Sequence, residues 1–200
     1  MPYILGLTGN IASGKTTIGL ILFELGAQTY VDADLAVHEL YLPGNPLVER
    51  LATAFGTGIL DAEGGVDRRI LGEIVFGDAE QLRRLESIVH PAVQAALMGR
   101  LRALPEDGVG VLDAIKLIEG GYAPFCAAVW VVTCPREIQL RRLIETRGLT
   151  PAEAEQRLAA QPPLEPKIEA ANVVIENSGS LEDLRRQVTA AWDQFTQSLG

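Results

Sequence analysis

The sequence predicts an α/β fold built on a five-stranded, mainly parallel sheet. Five short apolar runs are rich in β-branched residues, helical stretches separate them, and a glycine-containing loop joins the first run to the first helix. Buried parallel strands read as such continuous apolar runs, and their alternation with helices is typical of α/β proteins. The predicted strands are residues 3–7, 28–31, 109–112, 128–132 and 173–175.

Local signals mark where the helices begin. The first helix is predicted over 16–25, ended by Gly26, which suits the residue after a helix. Asn45 before Pro46 and Asp78 before Ala79 are favoured N-caps. Two later helices begin with capping-box patterns, Thr150-Pro-Ala-Glu153 and Ser180-Leu-Glu-Asp183.

Two insertions interrupt the alternation. About 75 residues separate the second and third strands, with helical segments at 35–42, 46–55, 67–76, 79–88 and 91–104. A second helical insertion, residues 135–170, is rich in arginine and bends at Gln161-Pro-Pro-Leu-Glu-Pro166. We therefore expect a three-layer core (1–34, 105–134 and 171–200), a helical subdomain (35–104) and a helical lid (135–170).

Composition restricts the partners. The 200 residues include 17 basic and 26 acidic side chains, a net charge of −9. This balance disfavours nucleic acid and anionic membranes as partners, so small anions must be held by local groups.

The cysteines and the apolar runs bear on localisation. Cys126 and Cys134 show no metal or disulfide pattern, no apolar run is long enough to span a membrane, and Met1-Pro2 leads directly into the first strand. We expect a cytoplasmic protein with reduced thiols, a monomer or weak homo-oligomer.

The loop after the first strand matches the phosphate-binding pattern GxxxxGK[ST] at every fixed position. In this pattern, backbone N–H groups and the helix N-terminus bind phosphates, the lysine reaches the β- and γ-phosphates, and the hydroxyl binds Mg²⁺. The strand before it and the helix after it favour nucleotide binding over a purely structural glycine turn. The predicted ATP contacts in this loop are Gly9, Asn10, Ile11, Ala12, Ser13, Gly14, Lys15, Thr16 and Thr17, with Thr16 on Mg²⁺.

Two aspartates follow the second strand. Asp32 and Asp34 would share one face of an extended chain at the carboxyl edge of the sheet, where ligands bind in such folds. One of these two carboxylates could orient or deprotonate an acceptor hydroxyl. Alternatively, Asp34 caps the next helix, which leaves Asp32 unexplained. Asp113, at the end of the third strand, is a candidate outer ligand of Mg²⁺.

The arginines of the second insertion have two interpretations. Arg142 and Arg147 either line a lid over the phosphates or belong to a solvated helix face, and the periodicity permits both. A GTPase would carry an NKxD motif, which is absent. A small-molecule kinase requires an acceptor site, a carboxylate, cations and a lid, and the sequence offers candidates for each.

Together these segments resemble the dephospho-coenzyme A kinase family, over almost the whole chain. Asp32-Ala-Asp34, the His-Pro pair and the Ile-x-Asn step are its more specific anchors. The matching segments are Leu7-Thr-Gly-Asn-Ile-Ala-Ser-Gly-Lys-Thr-Thr17, Leu25-Gly26, Asp32-Ala-Asp34, Val66-Asp-Arg-Arg-Ile-Leu-Gly-Glu-Ile-Val-Phe76, Val89-His-Pro91, Gln139-Leu-Arg-Arg142 with Arg147, Arg157-Leu-Ala-Ala-Gln161 and Ala171-Asn-Val-Val-Ile-Glu-Asn177.

The resemblance implies a P-loop kinase core with an acceptor domain and a lid, and transfer of the ATP γ-phosphoryl to the ribose 3′-hydroxyl of dephospho-CoA. Asp34 would be the catalytic base, Lys15 and Arg142 would act in catalysis, and Asn177 would belong to the adenine pocket. Asp32, Arg68 and His90 would contact the acceptor, although His90 could simply begin a helix at Pro91. A nucleoside or nucleoside-monophosphate kinase and a nucleotide-dependent regulatory protein remain alternatives.

The sequence departs from the family pattern in three places: the phosphate loop, the segment after the third strand and the residue before the fifth strand. Asn10 and Ala12 stand where glycine is usual, and Asn172 stands where aspartate is common. The usual Pro-Leu-Leu-Phe-Glu is replaced by Ile115-Lys-Leu-Ile-Glu119, which leaves the roles of Lys116 and Glu119 open.

Overall fold

A computed structural model describes residues 1–199 and contains the predicted sheet. Five strands lie in the order β2-β3-β1-β4-β5, and β1 is parallel to β3 and β4, as β4 is to β5. The α/β prediction is confirmed. The strands are β1 (Tyr3–Thr8), β2 (Thr29–Asp32), β3 (Val109–Asp113), β4 (Ala128–Thr133) and β5 (Val173–Glu176).

The strands differ in burial, contrary to the prediction of five buried strands. Every residue of β3 is buried, as are nearly all of β1 and β4, whereas β2 and β5 are mostly half-buried or exposed. Val174 of β5 is 44% exposed. The prediction was wrong for β2 and β5 because they are the edge strands, which have a neighbour on one side only.

Helices follow the strands much as expected. The two helices predicted at 79–88 and 91–104 are one helix that continues through Pro91. A proline removes one N–H hydrogen bond, and here the turns on both sides keep theirs, so it does not end the helix. The helices are α1 (Lys15–Glu24), α2 (Ala33–Leu40), α3 (Pro46–Phe55), α4 (Arg68–Val75), α5 (Ala79–Arg102), α6 (Arg136–Arg147), α7 (Pro151–Ala159), α8 (Glu165–Glu169) and α9 (Leu181–Gln197).

The predicted caps are present. Asn45 Oδ1 accepts from the Leu47 N–H at 3.0 Å, and Asp78 Oδ1 accepts from the Glu80 N–H at 2.8 Å. Both capping boxes form, one at the start of α7 and the other at the start of α9. Each cap satisfies backbone N–H groups that have no partner within the helix.

The chain divides into two compact units. One comprises Met1–Val31 and the chain from Leu101 onward, and the other comprises Asp32–Arg100. In the first unit the core lies between the sheet and helices α1 and α9, where Trp130 packs edge-to-face on Phe195 with ring centroids 6.4 Å apart. This packing fixes β1 and α1, and therefore the loop that joins them.

The second unit consists of helices α2–α4 and most of α5. Its buried side chains include Leu51 and Leu71, and the Arg84 guanidinium lies 5.6 Å from the centre of the Phe55 ring. The proposed roles of residues 35–104 in acceptor binding and of 135–170 as a lid stay predictions. Among residues 1–199, no helix is both long enough and apolar enough to cross a membrane.

Candidate active site

The phosphate loop lies between the carboxyl end of β1 and the first turn of α1. Gly14 precedes the helix with φ of 102°, and a Cβ there would overlap the Asn177 Nδ2. Glycine is therefore required both by the backbone conformation and by the close approach of a side chain. The first-turn N–H groups of α1 have no partner within the helix, so they can bind an anion.

Ala12 is the one residue other than glycine with positive φ, 58°, in the described chain. A left-handed conformation costs a residue with a Cβ roughly 1–2 kcal/mol. Glycine at this position would remove that strain. The loop therefore accepts the Cβ of Ala12 in a strained backbone.

The loop is joined to the bend between α7 and α8. The Asn10 Nδ2 donates to the Pro162 carbonyl at 3.2 Å, and the Ile11 N–H donates to Gln161 Oε1 at 3.0 Å. Asn10 thus makes a contact that glycine cannot make. The bend predicted at residues 161–166 is confirmed, since α7 ends at Ala159 and α8 begins at Glu165.

Arg142 and Asn177 hold the other side of the loop. The Arg142 Nη1 donates to the Ala12 and Ser13 carbonyls at 3.1 and 3.2 Å, and its Nη2 donates to the Asn177 carbonyl and Oδ1, both at 3.3 Å. The Asn177 Nδ2 donates to the Ser13 carbonyl at 2.7 Å. Because these side chains bind loop carbonyls, they hold the backbone between Ala12 and Gly14 in one conformation.

Lys15 lies beside a buried carboxylate. Its Nζ donates to the Gly9 carbonyl at 3.0 Å and lies 3.9 Å from Asp113 Oδ1. Asp113 also accepts a hydrogen bond from the Tyr30 hydroxyl. The structure thus brings the acidic end of β3 to the loop lysine.

A cleft of about 380 Å³ opens over the loop and α1. Thr146, Leu181 and Leu184 line it although they were not predicted. Thr146 lies one turn beyond Arg142 on α6, a spacing that could have indicated it. Ser13, which belongs to the loop, is fully buried and does not line the cleft. The predicted residues that line the cleft are Ala12, Gly14, Lys15, Thr16, Thr17, Arg142, Arg147 and Asn177.

Asp32 and Asp34 have different surroundings, contrary to the prediction that they share a strand face. Asp32 ends β2 and caps α2, where its Oδ1 accepts from the Asp34 and Leu35 N–H groups at 2.8 and 3.1 Å. The face-sharing prediction was wrong because the chain turns into a helix at Ala33. The alternative that Asp34 is the cap is also wrong, and its exposed carboxylate has no hydrogen-bond partner among residues 1–199.

The other predicted acceptor residues lie on α4 and α5. Arg68 is the first residue of α4. Burial raises the pKa of Tyr41, and the positive charge of Arg68 partly opposes that shift. His90 is exposed within α5, so the alternative that it begins a helix is wrong.

The loop residues fit a magnesium ion that arrives with a nucleotide. No group of three or more His, Cys, Asp or Glu side chains with metal-binding geometry occurs within residues 1–199. Mg²⁺ commonly binds one or two protein oxygens together with phosphate oxygens and water. The Thr16 hydroxyl in the cleft and the Asp113 carboxylate beside Lys15 are donors of this kind.

Neither cysteine is suited to act as a nucleophile. Burial raises the pKa of Cys126 to about 12. Burial also raises the pKa of Cys134, against the opposing charges of Arg142 and Arg141. Both are free thiols, and at neutral pH they are protonated and poorly nucleophilic.

Comparisons with known proteins agree with this geometry. The sequence model of the dephospho-CoA kinase family matches residues 3–183. A dephospho-CoA kinase from Symbiobacterium thermophilum is 46% identical over 191 residues, which cover 94% of this chain and 80% of that protein. The crystal structure of TT1252 from Thermus thermophilus superposes with a TM-score of 0.81 at 36% identity, covering 96% of this chain and 97% of the other. Dephospho-CoA kinase from Campylobacter jejuni gives a TM-score of 0.63 at 27% identity, covering 98% of each chain.

Proposed function

The chain belongs to the dephospho-CoA kinase family, and from this we propose that it phosphorylates the ribose 3′-hydroxyl of dephospho-CoA with ATP. The products are coenzyme A and ADP, so the reaction is the final step of coenzyme A biosynthesis. The observation that carries the proposal is the family match over residues 3–183 of a chain whose phosphate loop opens into a cleft.

ATP binding follows from the loop. The N–H groups at the start of α1 and the Lys15 ammonium would hold the β- and γ-phosphates. The cleft above them extends to Arg147 and Asn177, which supports placing the nucleotide there. Asn177 would then be adjacent to the adenine while its amide continues to hold Ser13.

Magnesium would be held by the Thr16 hydroxyl, with Asp113 acting through water. When bound, it neutralises charge that develops on the β- and γ-phosphate oxygens. The Asp113 carboxylate also lies near Lys15, which places a lysine charge close to the same phosphates.

Asp34 would accept the proton of the attacking hydroxyl. Its neighbour Asp32 is occupied as a helix cap, whereas the Asp34 carboxylate is exposed and has no hydrogen-bond partner among the described residues. A base of this kind needs a free carboxylate within reach of the acceptor oxygen. Asp32, Arg68 and His90 are proposed to contact dephospho-CoA.

Arg142 and Arg147 are proposed to stabilise the transferring phosphoryl group. Arg142 reaches the Ala12 and Ser13 carbonyls, so its charge lies directly beside the loop. Fixed positive charge stabilises the transition state because no reorganisation is needed during the reaction. We further propose that the protein acts in the cytoplasm as a monomer or weak homo-oligomer.

An acceptor panel tests the proposed substrate. The protein is incubated with Mg-ATP and dephospho-CoA, nucleosides or nucleoside monophosphates, and product masses are followed. We expect dephospho-CoA to gain one phosphoryl group and the other acceptors to remain unchanged. Turnover of a nucleoside without turnover of dephospho-CoA would contradict the proposal.

The Asp34→Asn variant tests the proposed base. Because the amide cannot accept the proton, we expect kcat to fall by roughly 10²–10⁴-fold, measured by coupled ADP release. ATP affinity, measured by calorimetry, should stay close to that of the unmodified protein. Glu73→Gln, which alters an exposed carboxylate on α4, is the matched control and should leave kcat unchanged. Near-normal turnover in Asp34→Asn would remove Asp34 from the mechanism.

A further inference from the structure

Lys167 is a buried lysine to which the proposed reaction assigns no role. It lies on α8, and its side chain is only 1% exposed. Removing an ammonium group from water is costly unless the charge is paired and hydrogen-bonded. The partners of Lys167 therefore indicate what its burial achieves.

Both partners lie in the turn that follows β3. The Lys167 Nζ donates to the Ile115 carbonyl and lies 3.4 Å from Glu119 Oε1. The Ile115 carbonyl also accepts from the Thr8 hydroxyl at 3.1 Å. Thr8 is the residue immediately before the phosphate loop, so one carbonyl joins α8, the turn after β3 and the entrance to the loop.

The charges around Lys167 connect it to the phosphate site. Burial lowers the pKa of Lys167, the Glu119 carboxylate raises it, and the positive charges of Lys15 and Lys116 lower it further. These are all three lysines of the chain. The positive charge of Lys15 disfavours protonated Lys167, and a phosphate bound beside Lys15 would offset that charge.

A contribution to folding stability does not by itself explain the buried Lys167–Glu119 pair. An apolar side chain of similar volume often replaces a buried ion pair without loss of stability. The same replacement here would release the turn after β3, which begins two residues beyond Asp113. Asp113 in turn lies beside the Lys15 ammonium.

We propose that Lys167 is a positioning residue for phosphoryl transfer, which holds the turn after β3 and the entrance to the phosphate loop through the Ile115 carbonyl and the Glu119 carboxylate. This inference rests on the proposed kinase function. It assigns a role to the Ile115–Glu119 segment, which departs from the family pattern.

Kinetics of Lys167→Met and Lys167→Arg test the inference. With Mg-ATP and dephospho-CoA, we expect Lys167→Met to lower kcat by about 10- to 100-fold, because small displacements of reacting groups are this costly. Its KM values should change by no more than about threefold. Lys167→Arg should recover at least part of kcat. Arg136→Met removes an exposed partner of Glu155 in the same insertion, and as the matched control it should behave as the unmodified protein.

The pH dependence of kcat provides a readout that a purely structural role would not move. We expect kcat of the unmodified protein to decline at alkaline pH as Lys167 loses its proton. Glu119→Gln removes the charge that favours protonated Lys167, so this alkaline decline should move to lower pH. In Lys167→Arg the decline should move to higher pH, because arginine stays protonated. These pH profiles also test the positioning role of Lys167 if the Lys167→Met variant does not fold.

The outcomes separate the two proposals. If the unmodified protein does not phosphorylate dephospho-CoA, the proposed function fails. If it does, but Lys167→Met retains kcat within about twofold, the positioning role is overturned. The role is equally overturned if the alkaline decline is unmoved in both Glu119→Gln and Lys167→Arg.

Discussion

At the residue scale, Gly14 is the point where the phosphate loop, α1 and Asn177 meet. Its φ of 102° lies in the left-handed region, and an added Cβ would overlap the Asn177 amide nitrogen. That amide holds the Ser13 carbonyl, which Arg142 also contacts. One added methyl group would therefore disturb the contacts that shape the loop.

The Gly14→Ala variant should lose nucleotide binding. Because the Cβ displaces Asn177, we expect ADP affinity in titration calorimetry to fall by at least about tenfold, and stability to fall by roughly 1–3 kcal/mol. Gly26→Ala is the control, since Gly26 also has a positive φ, 117°, but no heavy atom near the added Cβ. Equal ADP affinity in the two variants would show that the Asn177 contact is unimportant.

The contacts of some site residues could be predicted from the sequence, and those of others could not. The spacing of the loop motif predicted Lys15 and Thr16 in the cleft, because the motif is defined by local geometry. The surroundings of Asp32 and Asp34 depended on where a strand becomes a helix, and a shift of two residues in that boundary changed both. The contacts of Lys167 with Ile115 and Glu119 join residues about 50 positions apart, and no local pattern indicates them.

At the element scale, the capping boxes of α7 and α9 were predictable because each involves only four consecutive residues. The continuity of α5 through Pro91 was not predictable, because a proline gives the same sequence signal at a helix start and inside a helix. The sequence also did not show which strands lie at the edges of the sheet, since the order β2-β3-β1-β4-β5 arises from crossovers between distant segments.

The capping box of α9 should contribute to stability in a pH-dependent way. Hydrogen bonds from the Ser180 hydroxyl and from the Arg186 guanidinium lower the pKa of Asp183 below its ordinary 3.8. A carboxylate with a lowered folded pKa stabilises the protein above its unfolded pKa, and this contribution is lost as pH falls through the folded value. In thermal melts, we expect Asp183→Asn to lower Tm at pH 7 and to lose less Tm than the unmodified protein on acidification.

Glu182→Gln is the control for this prediction. Glu182 also lies in the first turn of α9 but is outside the box. Its Tm should follow that of the unmodified protein across the acid range. If Asp183→Asn and Glu182→Gln show the same acid dependence, the capping box does not carry the effect.

At the scale of the whole molecule, a net charge of −9 is compatible with two anionic substrates. The cleft is lined by Lys15, Arg142 and Arg147, while other arginines pair with exposed carboxylates, as Arg185 does with Glu24 at 2.7 Å. An acidic chain can therefore bind small phosphates through local groups and still disfavour extended polyanions. The charge balance only disfavours extended polyanions, and the fold was needed to place the cations that line the cleft.

The reaction proposed for this protein is transfer of the ATP γ-phosphoryl group to dephospho-CoA. The most direct test is a single turnover with excess enzyme and ATP labelled with ³²P at the γ-phosphate, in the presence and absence of dephospho-CoA. We predict that the label appears in coenzyme A when dephospho-CoA is present and stays in ATP when it is absent. Label released as inorganic phosphate at the same rate in both reactions would contradict transfer to dephospho-CoA.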